Sequence, residues 1–277
     1  MGNISIVTDS TADLSPELLE KYNITVVPLK IFFGDEEFHE GVDITPAQFY
    51  DKLRTSPHHP RTSQPSPAEF AACYEKLSQK ADHIISIHLS SKLSGTYQSA
   101  VLAKDMVKVP VDVIDSKGAS MMIGFTVMEA AKAAKEGRDR QSILHLIDDM
   151  IRKIKVYFVV DTLDYLQKGG RIGKASAFLG NLLNIKPMLT IKDGLVAPVE
   201  KIRGKARVLD KLLEKVSMDA SNVPLTGTVI HASCKDEAER YKEIFEKHFN
   251  FKELTISTIG AVIGTYTGPG TIGIIYY

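Results

Sequence analysis

Hydroxyl groups clustered beside apolar runs are the first chemical signal in this chain. Residues 84–88 lead into Leu89-Ser90-Ser91-Lys92-Leu93-Ser94-Gly95-Thr96, and a helical pattern carrying Tyr97, Val101, Leu102 and Met106 follows. Ser94 and the amides after it then stand at a helix N-terminus, where unpaired N–H groups and the helix dipole favour an anionic oxygen. An ordinary serine N-cap accounts for the same pattern. A serine nucleophile is a third reading, although the Gly-x-Ser-x-Gly elbow is missing and sequence alone assigns no His/Asp pair. Thr62-Ser63-Gln64-Pro65 forms a second hydroxyl cluster, and ligands of open α/β sheets gather at strand ends, so Thr62 and Ser94 can share one site. Thr8-Asp9-Ser10-Thr11 follows the first strand and suits either bracing of that crevice or local Asx-type turn bonding.

Two groups of cations stand out. Arg171 sits in Gly169-Gly170-Arg171, where glycine lets the backbone approach closely and the guanidinium offers a planar fork for carboxylate or phosphate; a surface turn is the plainer reading. Lys201, Arg203, Lys205 and Arg207 alternate along one stretch, offset by Glu200, and fit either a solvated face or a dock for an acidic partner or a phosphate.

Several familiar signatures fail on inspection. Gly268-Pro269-Gly270-Thr271-Ile272-Gly273 has the letters of a dinucleotide fingerprint but leads into a strand, not a helix. Gly169-Gly170-Arg171-Ile172-Gly173-Lys174-Ala175 departs from a P-loop at Lys168 and Ala175. Cys73 and Cys234 have no Cys or His at ligand spacing, so neither a metal site nor a disulfide framework is expected, and a reducing compartment is. Thirty-four basic residues balance thirty-four acidic ones, without the excess typical of a nucleic-acid binder. The longest apolar run, 121–128, is too short to span a bilayer, and the first residues lack the basic start of a signal peptide; a cytoplasmic protein is the expectation.

The elements that must position these groups are legible as alternation. Strands are expected at 4–7, 26–33, 84–88 and 111–114, with helix starts at Ser15-Pro16, Thr45-Pro46 and Ser66-Pro67 between them. Strand followed by capped helix, repeated, predicts an α/β fold with a mostly parallel N-terminal sheet flanked by helices. A helical stripe over 140–154 and a buried strand at 156–160 put a domain boundary near 155, giving domains 1–155 and 156–277. The second half has strand candidates at 187–191, 195–199, 228–231, 253–258 and 272–276, with two amphipathic helices among them. Lys192-Asp193-Gly194 is a hairpin signal, so this second α/β sheet is expected to be partly antiparallel.

Val7-Thr8-Asp9-Ser10-Thr11-Ala12-Asp13-Leu14, Thr62-Ser63-Gln64-Pro65-Ser66-Pro67, Leu93-Ser94-Gly95-Thr96-Tyr97-Gln98-Ser99-Ala100 and Val113-Ile114-Asp115-Ser116-Lys117 occur in this order. Leu163-Asp164-Tyr165-Leu166-Gln167-Lys168-Gly169-Gly170-Arg171-Ile172 and Gly268-Pro269-Gly270 complete the series. Over essentially its whole length the chain resembles the DegV family of bacterial fatty-acid-binding proteins, the lipid-carrying subunits of fatty acid kinase.

The resemblance implies a two-domain DegV-like fold with a long-chain fatty acid bound between the domains, its tail buried and its carboxylate near the surface. No cofactor is implied; ATP chemistry would come from a separate kinase subunit that makes the acyl phosphate. Thr62 and Ser94 fall on the family's carboxylate-binding positions, Arg171 on the arginine that meets the acyl phosphate, and Arg203 on a position associated with docking the kinase. Tyr266 stands where the family pattern usually has His, as the third member of the carboxylate network. The competing readings are a serine-dependent hydrolase of lipid-like esters using Ser94, and a lipid sensor without a kinase partner.

Overall fold

The computed structural model describes residues 2–179, 184–219 and 223–277. They form two compact units, one of Met1–Thr45 with His58–Lys153 and one of Pro46–Pro57 with Ile154–Tyr277.

In the first unit, β1 (Ile4–Asp9), β2 (Ile24–Val27), β6 (His83–His88) and β7 (Val111–Asp115) make a wholly parallel sheet in the order β2-β1-β6-β7. The expected strand over 26–33 is in fact two. Pro28 has no N–H to give a ladder, and the next donor, Leu29 N–H, goes to Ser10 Oγ at 3.0 Å, so the chain leaves the sheet after Val27. It re-pairs as β3 (Lys30–Phe33) between β4 (Glu36–His39) and β5 (Arg61–Ser63), an antiparallel sheet the apolar pattern does not announce.

Helices α1 (Pro16–Tyr22), α3 (Pro67–Ser78), α4 (Thr96–Lys104), α5 (Met121–Lys135) and α6 (Arg140–Lys153) cover the parallel sheet. Ser15 caps α1, and Ser66 with Glu69 forms a complete capping box on α3, as the Ser-Pro pairs predict. The face of α4 is not the expected one. Leu102 and Met106 are exposed, while Thr96, Ser99, Ala100 and Ala103 are buried, because small side chains let this helix lie close to β6 and β7. The 121–128 run begins α5, which is buried along most of its length between β1 and α6. Among the described residues no helix is long and apolar enough to cross a membrane.

The second unit starts early in the chain. Helix α2 (Pro46–Thr55) belongs to it because the buried Tyr50 hydroxyl donates to Ile259 O at 3.0 Å and Arg54 reaches Ser233 Oγ at 3.3 Å. Its sheet contains β8 (Lys155–Val159), β9 (Ile185–Lys192), β10 (Leu195–Arg203), β11 (Leu225–His231), β12 (Phe251–Thr258) and β13 (Ile272–Tyr276) in the order β10-β9-β8-β13-β11-β12. Only the β11–β12 pair is parallel, so the expected mixture is present. The hairpin forms where Asp193-Gly194 predicts it, both residues lying in the left-handed region with φ of 54° and 80°. Between these strands lie α7 (Asp164–Lys168), α8 (Val208–Asp219), α9 (Lys235–His248) and α10 (Ala261–Thr267). Val208, Leu212 and Val216 of α8 join Ala238, Tyr241 and Phe245 of α9 in one core with Met188, Val229 and Ile274.

Asp219 pins the far end of that core. It accepts from the Tyr157 hydroxyl at 2.8 Å and the Tyr276 hydroxyl at 3.0 Å, and pairs with Lys155 at 2.7 Å. Burial and the adjacent carboxylate push the Tyr157 phenol up to about 12 and raise that of Tyr276, so both hydroxyls remain donors at neutral pH. Asp219→Ala orphans two phenols and should cost roughly 1–3 kcal/mol for each buried donor left unmade, read as a lower urea midpoint.

Candidate functional site

The Ser94 turn hangs from the carboxyl end of β6. Leu93 N–H and Ser94 N–H both donate to Ser90 O, at 2.9 and 3.1 Å, while Ser90 N–H is tied to Gly118 O at 3.0 Å. Ser94 Oγ shares a hydrogen bond of 2.9 Å with Thr96 Oγ1 and accepts from Thr96 N–H at 3.3 Å. The cap position of α4 is Gly95, not Ser94, yet the Ser94 hydroxyl still stands at the first helical amide. Thr62 lies on β5, half buried and opposite Ile31 of β3. Gln64, two residues on, links these arms. It packs so closely on Gly95 that a Cβ at that position would overlap its amide, and its Nε2 donates to Ser99 Oγ at 3.3 Å.

Beneath this turn lies a buried polar chain. The Asp9 carboxylate takes four donors: Thr11 N–H at 3.1 Å and the Thr11 hydroxyl at 2.5 Å on one oxygen, His88 Nδ1 and Leu89 N–H, each at 3.0 Å, on the other. His88 Nε2 meets Ser86 Oγ at 2.6 Å, and the Tyr74 hydroxyl donates to Ser86 Oγ at 2.8 Å. With the ring proton on Nδ1, every group in the chain is satisfied. Burial alone would raise the Asp9 pKa, but the donors, His88 foremost, outweigh it and hold the carboxyl below its ordinary value. Thr8-Asp9-Ser10-Thr11 therefore does both things its sequence suits, closing a local turn and bracing the ends of β1 and β6.

In the second unit, α7 and α10 interlock through glycines. Tyr266 of α10 lies against Gly169, and Tyr165 of α7 lies against Gly268; a Cβ at either glycine would run into the facing ring. Gly268 also has φ of +72°, a conformation other residues rarely hold. Arg171 is exposed beside this contact. Its guanidinium stacks over the Tyr266 ring, 5.0 Å from the centroid, and donates to Gly169 O at 2.8 Å. Arg171 and Tyr266, which the sequence gives no reason to pair, are thus in contact. Arg203 is elsewhere, exposed at the end of edge strand β10. Of its basic neighbours, Lys201 lies over the Phe178 ring at 5.2 Å and Lys205 is paired with Glu237 at 2.7 Å, so that stretch is not one uniform free patch.

Comparison with known proteins decides the family. A DegV family profile matches residues 3–277. The chain belongs to the DegV family. A DegV domain-containing protein of Halalkalibacterium halodurans is 40% identical over 280 residues, covering 100% of this chain and 99% of the relative. A DegV family protein of Thermus thermophilus, described for its fatty acid binding, superposes with a TM-score of 0.94 at 36% identity, covering 99% of both chains. Bacillus subtilis DegV, described as a fatty acid binding protein, has a TM-score of 0.90 and 37% identity, covering 100% of this chain and 99% of that one.

Within this DegV fold, Asp9, His88 and Ser86 have the connectivity of a catalytic triad without its access. All are fully buried, and Ser86 Oγ already receives the Tyr74 hydroxyl, so no ester reaches it. Ser94, the serine of the hydrolase reading, has Thr96 as its partner and no imidazole among the described residues. Sequence reasoning missed His88, which is spaced like any strand residue, and Gln64, which was grouped with hydroxyls; the glycine after Ser94 was the available sign that another side chain approaches there.

The Asp9 carboxyl titrates lower in the folded chain than in the unfolded one, so its stabilisation is complete above about pH 4 and is lost as pH falls through the folded value. Asp112 and Asp219, also held low, add to the same slope. Asp9→Asn should lower the urea midpoint at pH 7 and flatten its fall between about pH 5 and pH 2. A variant with the wild-type slope would show that Asp9 does not carry it.

Proposed function

We propose that this chain binds a long-chain fatty acid, with its tail buried and its carboxylate met by the hydroxyls of Thr62 and Ser94, and presents it to a separate ATP-dependent kinase subunit. The observation that carries the reading is near full-length similarity, at 36% and 37% identity, to solved DegV proteins described as fatty acid binding. The Thr62 and Ser94 arms support it, because Gln64 ties them together within one unit. At about 0.8 kcal/mol per methylene, burying a long acyl chain contributes on the order of ten kcal/mol before entropic losses. The charged head must then be hydrogen-bonded, which is the task assigned to the hydroxyls.

In the transfer, a carboxylate oxygen attacks the γ-phosphorus of ATP on the partner; the new C–O–P linkage forms, the bond to ADP breaks, and acyl phosphate and ADP result. Arg171 is assigned to the incoming phosphoryl group, for which its planar fork is suited. Arg203, exposed on an edge strand, is assigned to docking the kinase.

Organic extraction of the purified protein followed by mass spectrometry should find a fatty acid; no acyl species, together with no uptake of added long-chain acids, would end the carrier reading. Arg171→Ala should keep its lipid and lose partner-dependent phosphorylation, whereas Arg203→Ala should weaken the kinase complex, with the difference from the parent shrinking as salt rises and screens the contact. Tyr266→Phe tests the ligand role that the family resemblance gives Tyr266: it removes one hydroxyl, and a hydrogen bond to a charged group is worth roughly 1.5–3 kcal/mol, so acid affinity should fall about tenfold or more. Unchanged affinity would leave Tyr266 as the packing partner of Gly169 and Arg171 alone.

A further inference from the structure

We propose that Gln64 is a positioning residue that sets the separation of the Thr62 and Ser94 hydroxyls and so gives the head-group site its preference for a carboxylate over a neutral head. The inference rests on the reading of that site given above. Thr62 belongs to the antiparallel sheet through its pairing with Ile31, and Ser94 belongs to the turn after β6 of the parallel sheet. The two hydroxyls are therefore set by different sheets. Each is rigid in its own frame: β5 by its ladder to β3, the Ser94 turn by Ser90 and Gly118.

Gln64 bridges the two frames. It leaves the chain two residues after Thr62 and lays its amide on Gly95, the residue after Ser94, with no room for a Cβ between them. Its Nε2 donates to Ser99 Oγ at 3.3 Å, and Ser99 N–H returns to Gly95 O at 2.9 Å, so the amide engages both ends of the first turn of α4. An exposed glutamine held in this way gives up rotamer freedom, which close packing on Gly95 offsets. A side chain at 95 would push the Gln64 amide aside.

A carboxylate has two oxygens that need donors at a fixed separation, whereas an alcohol head has one. Loosening the strut between two donors therefore costs the acid more than the alcohol. Because Gln64 is exposed, its replacement leaves the core intact, and the variants should melt as the parent does.

The test uses full-length protein stripped of lipid, titrated with oleic acid and with oleyl alcohol, which share a tail and differ in the head. Gln64→Ala should lose about tenfold in acid affinity, the scale of one hydrogen bond to a charged group, with a far smaller change for the alcohol. Gln64→Glu sets a like charge beside the acid, so its loss should be larger at pH 7 and ease as pH falls toward the carboxylate range near 4–5. An unchanged acid-to-alcohol ratio in Gln64→Ala, or equal losses for both ligands, would overturn the positioning role. A parent protein that binds neither ligand would instead remove the fatty-acid reading, and the two failures are separable because the second appears before any substitution is made.

Discussion

A fully buried carboxylate must be given its donors, and in this chain the donors of Asp9 are what gather the functional loops. Each of its oxygens takes two, from Thr11 on one side and from His88 and Leu89 on the other. Leaving one such charge unpaired costs several kcal/mol, so the strand ends cannot drift apart without losing most of the stability of an ordinary domain. The neighbouring residues extend the same wiring. Ser10 Oγ receives Leu29 N–H where Pro28 has broken β2 from β3, and Asp13 receives the Ser120 hydroxyl at the start of α5. A short acidic and hydroxylic run that suits bracing or local turn bonding thus works as the junction from which the Ser94 turn, the antiparallel sheet and α5 are all placed.

The second unit solves its positioning problem by shape instead of charge. Tyr165 and Tyr266 each occupy the space that the other helix's glycine leaves open, which makes the contact reciprocal and difficult to alter one residue at a time. Arg171 then inherits its place from Tyr266, whose ring face it covers, and from Gly169 O, which it donates to. Gly169-Gly170-Arg171 is therefore a record of aromatic packing.

Periodicity and turn chemistry made most of the fold legible. Ser66 with Glu69, the Asp193-Gly194 turn and the apolar stripes of α6, α8 and α9 behave as isolated-segment physics requires, because those signals are local. The misreadings are tertiary. Val27 and Lys30 look like one strand until Pro28 is weighed against the donor it lacks, and α4 turns its small residues inward because a sheet lies close beneath it. In the same way the residue types at Thr62, Ser94, Arg171 and Tyr266 were visible, while the contacts that position them were not. Gln64 on Gly95, His88 on Asp9 and Tyr165 on Gly268 join positions far apart in sequence, and single-chain spacing carries no trace of them beyond a glycine or a polar residue.

The choice of neutral hydroxyls for the proposed head-group site follows from what a presented acid has to do. A lysine or arginine paired directly with the carboxylate would add the attraction of a full positive charge to the hydrogen bond, but would also draw off the electron density with which an oxygen attacks phosphorus. Hydroxyl donors would satisfy the buried charge and leave it nucleophilic. A cation is then useful only where negative charge accumulates during transfer, at the phosphoryl group. Arg171 suits that division, because its stacking on Tyr266 and its bond to Gly169 O keep the guanidinium in place. Under the proposed function, ground-state holding and transition-state charge stabilisation would fall to different residues, which is the condition under which binding a substrate well does not slow its reaction.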